Sequence, residues 1–166
     1  MTTPSDLVTV SVTVSTDPAT AFVLFTQEID LWWRRGPKFR IGGKQPGVLR
    51  FEPRIGGRLL EEFESQSGPQ VFTTGTITLW QPPLRLGFEW RGVNFAPGES
   101  TQVEVVFEAV PTGTRVIVRH SGWAALRPDH PVRHGQEGPA FIRTTGLWWA
   151  ELMTSFREFV ADRAGS

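Results

Sequence analysis

Val8, Val10, Val12 and Val14 alternate with Thr9, Ser11 and Thr13, a period of two that predicts a half-buried first strand. Asp17-Pro18 then supplies a helix start, with Asp17 as N-cap and Pro18 at the first helical position. A short helix carrying Ala21, Phe22 and Phe25 is expected there, followed by a second over 28–34 with Ile29, Trp32 and Trp33 on its apolar side. Gly36-Pro37 stops it, and 36–47 reads as loop. Strands follow at 48–52 and 58–64, joined by a hairpin through Pro53-Arg54-Ile55-Gly56-Gly57. After a break at Ser67-Gly68-Pro69, residues 71–80 are rich in Thr, Val and Ile. Leu84, Leu86, Phe88 and Trp90 alternate with Arg85, Gly87, Glu89 and Arg91, the clearest amphipathic strand of the chain. Val103, Val105 and Phe107 make the next strand, and Val116, Val118 and His120 share one face of the last. The connections are short and successive, which favours an antiparallel sheet.

From Pro139 the period changes to 3.6. Phe141, Ile142, Trp148, Trp149, Leu152, Met153, Phe156, Phe159 and Val160 fall in one arc, with Glu151, Thr154, Arg157, Glu158 and Asp162 outside it. A helix over about 139–162 is long enough to cross a whole sheet. The pattern is α+β: a strand, two short helices, six strands and a long helix. A lone amphipathic helix facing a curved sheet of six to seven strands buries its apolar arc in the concave side.

Composition narrows the chemistry. Seventeen basic and seventeen acidic residues balance, so no global field invites nucleic acid or an anionic membrane. The chain has no cysteine, which removes disulfides, thiolate zinc sites and cysteine nucleophiles. The first ten residues lack the basic and apolar segments of a signal peptide, and no apolar run approaches the roughly 18 residues of a membrane span. A cytoplasmic protein folding as one domain over 1–166 is expected. Twelve Phe and seven Trp with no Tyr give large apolar surface and few polar handles.

Several stretches carry a resemblance. They are Phe51-Glu52-Pro53-Arg54-Ile55-Gly56-Gly57, Gly75-Thr76-Ile77 running to Pro82-Pro83-Leu84-Arg85-Leu86, and Phe88-Glu89-Trp90. Gly113-Thr114-Arg115-Val116 through His120-Ser121-Gly122 and the helix bearing Trp148-Trp149 complete the set. Together, over 8–162, they resemble the START-like helix-grip superfamily, in the branch named for activators of the heat-shock protein 90 ATPase. The resemblance implies a deep cavity beneath the long helix, filled in some members by lipids, aromatic polyketides or hormones. It implies no common activity, since one fold hosts many functions.

Candidate chemistry is sparse. His120 points into the concave face and could orient a ligand carbonyl or act as acid/base, or could be a hydrogen-bonded core histidine. Asp129, His130 and His134 are close in sequence, but Pro131 interrupts the helical spacing a metal site needs, and a solvated loop is the better account. Gly42-Gly43-Lys44 lacks the phosphate-loop pattern, and no Gly-x-Ser-x-Gly elbow exists. Glu62 and Glu64 read as a solvated edge beside Glu61. No metal or cofactor is expected.

The expected site is therefore an apolar cavity. Phe88, Trp90, Val105, Phe107, Val118 and His120 would face Trp148, Leu152 and Phe156, with Trp33 and Trp123 near the opening. Its function would be to hold an apolar or aromatic small molecule. A co-chaperone-like role on a chaperone ATPase and a cyclase- or dehydratase-type reaction through His120 stay open beside it. So does a homodimer, because sheet edges invite pairing.

Overall fold

The computed structural model describes residues 7–43, 45, 47–92, 94–127, 129–133, 135–136 and 138–164. Seven antiparallel strands form one curled sheet in the order β1-β7-β6-β5-β4-β3-β2: β1 (Val8–Val14), β2 (Gly47–Phe51), β3 (Arg58–Ser65), β4 (Gly68–Gln81), β5 (Arg85–Trp90), β6 (Thr101–Val110) and β7 (Gly113–Ser121). Between β1 and β2 lie α1 (Pro18–Gln27) and α2 (Ile29–Trp32); after β7 comes α3 (Gly138–Ala164). The order agrees with the pattern of the sequence.

Local chemistry explains most boundaries. The Asp17 carboxylate accepts from the Thr20 backbone N–H, capping α1 where Pro18 begins it. α2 is shorter than its periodicity predicts, because the chain turns extended at Trp33. β4 begins earlier than expected: Gly68 pairs with Ser65 and Pro69 with Glu64, so the presumed break is a two-residue turn. The strand tolerates Pro69 because the residue lies at its very start.

Two register shifts shape the sheet. One lies between Ile77 and Leu79 of β4, and the extra residue there lets both Ile77 and Trp80 turn inward. The other lies between Leu59 and Leu60 of β3. Where β4 bends over β5, a side chain at Gly75 would sit 1.6 Å from the Glu89 carbonyl oxygen, so only glycine fits. The resulting trough takes α3, whose Trp149, Leu152, Met153, Phe156 and Val160 are buried against Val8, Phe88, Val105, Phe107, Val116 and Val118. Ser155 Oγ donates to the Trp32 carbonyl at 2.6 Å and ties α2 to α3. No helix of the described residues is long and apolar enough to cross a membrane.

Candidate functional site

Alternation along β5 aims Trp90 inward, while α3 presents Trp148 and Trp149 100° apart and the end of α2 delivers Trp33. These four indoles meet at one end of the sheet–helix interior. Each touches the other three, with ring centroids 5.2 to 6.2 Å apart. Trp33 and Trp149 are buried; Trp90 and Trp148 are half-buried and form the outer side. Phe39 stacks on Trp148 at 5.6 Å and closes the group from the 36–43 loop.

That loop is held from three sides. Trp33 Nε1–H donates to the Phe39 carbonyl and Trp148 Nε1–H to the Lys38 carbonyl, so consecutive peptides hang from two indoles. The buried Arg40 guanidinium donates to Asp30 Oδ1 at 2.6 Å and to the Asp30, Trp33 and Arg34 carbonyls. Glu61, also buried, accepts from the Ile41 and Gly42 backbone N–H groups. Burial opposes charge on Asp30, yet the Arg40 bond and the Leu49 backbone N–H outweigh it and hold the carboxyl below its usual range. A cleft of about 280 Å³ lies behind the loop, between Arg35, Arg40, Gly47 and Glu61.

His120 sits deeper, 1% exposed. Trp149 Nε1–H can only donate, and it does so to His120 Nδ1 at 3.1 Å. The proton of the neutral ring is therefore on Nε2, which donates to Thr101 Oγ1 at 2.7 Å. The Thr101 hydroxyl in turn faces the Trp90 carbonyl at 3.4 Å. Burial pushes His120 down to about 3, so the ring is neutral near pH 7. Both nitrogens are committed, and an acid/base or ligand-orienting role would have to break this chain.

The structure distributes the expected site residues rather than assembling one open chamber. Trp33, Trp90 and Trp148 lie together. His120 packs on Trp123 at 4.3 Å, and Trp123 leads to a second cluster with Phe95, Leu126 and Phe141. Phe107 and Phe156 belong to the far end, with Phe22, Phe25 and Trp32. Phe88 packs on Phe51, while Val105, Val118 and Leu152 are fully enclosed core. Trp33 and Trp123 are buried instead of lying near an opening: loop 36–43 covers the first, and Gly122, at φ +93°, turns the second under His120.

The 122–139 segment is not simply solvated. His130 is buried; its Nδ1 accepts from the Val132 backbone N–H and its Nε2 faces Glu99 Oε1 at 2.9 Å. Asp129 is exposed beside Arg127, while His134 and Lys44 lie outside the described residues. Sequence reasoning missed Asp30, Phe39, Arg40, Thr101, the bond from Trp149 to His120, and the burial of Glu61, expected beside a solvated edge. Neither Arg40 nor Glu61 carries a pattern: Arg40 answers the Asp30 carboxylate and three carbonyls at positions 30, 33 and 34, and Glu61 answers two backbone N–H groups of a loop about twenty residues away.

A curled antiparallel sheet gripping one long helix is the START-like architecture. Residues 15–138 match the model of the Activator of Hsp90 ATPase homolog 1-like protein family, and the chain belongs to that family. Among solved structures, the Aha1 dimer from Colwellia psychrerythraea is similar over 93% of this chain and 95% of its own, at 15% identity and TM-score 0.60. A protein of unknown function from Staphylococcus aureus covers 96% of each chain at 11% identity and TM-score 0.68. A structure of a Mesorhizobium loti protein is similar over 95% of this chain and 97% of its own, at 19% identity and TM-score 0.60. No curated protein matches the sequence.

Proposed function

We propose that this protein binds an apolar or aromatic small molecule in the cytoplasm, admitted where loop 36–43 covers the four-indole cluster. The observation that carries the reading is the cluster itself: four mutually touching indoles, two of them half-buried, roofed by a loop that α3 touches through Trp148 and Glu151. Aromatic faces receive flat ligands well, and ligand sites are mostly apolar with few polar groups. In the closed arrangement the rings fill the space themselves, so binding parts Phe39 and Trp148 from Trp33 and Trp90. The test is titration with the neutral probe 1-aminoanthracene, following indole quenching and melting temperature, since a ligand of the native state stabilises it. Saturable quenching with a raised melting temperature, both weakened in Trp90→Ala, is expected. An unchanged melting temperature at saturating probe sinks the reading.

A second reading is a protein–protein role of co-chaperone type, including self-association. The family match and the dimer formed by the Colwellia Aha1 favour it. Stimulation of a heat-shock protein 90 ATPase by the purified chain, undiminished in Trp90→Ala, would select this reading over the first.

A further inference from the structure

A ligand entering the indole cluster has to leave its polar group somewhere, and most polar groups around the cluster are already taken. Four of the interior's donors are matched: Trp149 to His120, His120 to Thr101, Trp33 to the Phe39 carbonyl and Trp32 to the Phe25 carbonyl. A carbonyl or carboxylate pushed in there would be buried without a hydrogen bond, or would break one of these.

The rim is different. One turn along α3 from Trp148, Glu151 Oε1 lies 2.8 Å from Lys38 Nζ, and Lys38 remains 58% exposed. The same ammonium stands 5.4 Å from the Phe39 ring centroid, directly outside the ring that closes the cluster. Arg34 commits only Nε, to the Glu151 carbonyl at 3.3 Å, and its terminal nitrogens have no partner among the described residues. Arg35 and Arg40 are both engaged by Asp30. Two cations therefore meet at Glu151, Lys38 on its carboxylate and Arg34 on its backbone carbonyl, and the positive charge in excess sits where a ligand's head would emerge.

We infer that the ligand is an amphipathic monoanion. Its apolar body lies among Trp33, Trp90 and Trp148, and its carboxylate lies at the rim against Lys38 and Arg34. This rests on the small-molecule reading above and adds the chemical class. A charge-assisted pair at an exposed rim contributes discrimination that salt weakens, while the aromatic contacts supply the affinity common to all heads.

The experiment is calorimetric titration with three matched probes, 2-naphthoate, 2-naphthalenemethanol and 2-naphthylmethylammonium, in dilute buffer near pH 7. Naphthoate should bind on the order of tenfold tighter than the alcohol, with the ammonium weakest, and added salt should shrink the gap. In Lys38→Gln/Arg34→Gln the advantage of naphthoate should largely vanish, with the alcohol's affinity kept within about twofold. Both side chains are exposed, and near-ultraviolet circular dichroism checks the fold. Glu151→Gln, which releases Lys38, should raise naphthoate affinity and leave the alcohol's unchanged. Equal binding of the three probes, or a naphthoate preference untouched by these variants, overturns the anionic class while the small-molecule reading stands. Binding of none of them overturns both.

Discussion

At the residue scale the sharpest expectations concern His120 and the paired tryptophans. The His120 imidazole titrates at about 3 in the fold against an ordinary 6.5, because burial opposes its charge. Between those values the unfolded chain holds a proton that the fold does not, so this residue's stabilisation is complete above 6.5 and declines as pH falls toward 3. Unfolding free energies from denaturant titration at pH 7 and pH 5 should differ by roughly 2 kcal/mol more in the wild type than in His120→Gln, whose side chain does not titrate. Trp149→Ala removes a fully buried ring that also donates to His120, and should cost roughly 3–5 kcal/mol in chemical unfolding. Trp148→Ala should cost clearly less, since that ring is half-buried, and should loosen loop 36–43. The sequence displayed His120 as inward-facing through strand parity. It could not display the partners, because Thr101 and Trp149 lie 19 and 29 positions away in other elements.

At the scale of elements, what could be read from the chain followed periodicity. The alternation of β6 and the 3.6-residue period of α3 each survive because one face of the element is more deeply buried than the other. Where periodicity breaks, the reading broke too. The bulge at Ile77/Leu79 shifts parity, Gly68-Pro69 looks like a stop yet opens β4, and α2 ends after Trp32. Loop 36–43 is ordered by side chains reaching it from elsewhere, a cause no local pattern carries. Glu61→Gln replaces an oxygen with a donor opposite two backbone N–H groups, and should destabilise by roughly 1–3 kcal/mol. Amide exchange at Ile41 and Gly42 should quicken well before that of β6 and β7, which hydrogen-exchange mass spectrometry would register.

For the whole molecule, seven strands and one gripped helix were legible as an architecture, whereas the open chamber expected between them is closed by its own aromatic rings. The exposed rim of the sheet is also less available than strand counting suggests. Asp30 Oδ1 accepts the Leu49 N–H and Arg35 donates to the Gly47 carbonyl, so β2 has part of its outer edge occupied. Asp30→Ala should free that edge and increase self-association, visible as a larger weight-average mass in sedimentation equilibrium. The bond from Trp148 to the Lys38 carbonyl joins positions 110 residues apart, and this separation has a consequence for how the molecule is made. On a ribosome adding roughly 5–20 residues per second, every strand is finished before α3 emerges, and for some seconds the trough stands empty. During that interval the chain carries a concave apolar wall and an unfastened loop. A nascent chain halted just before Gly138 should therefore be sticky and a substrate for holding chaperones, and synthesis of α3 should release it.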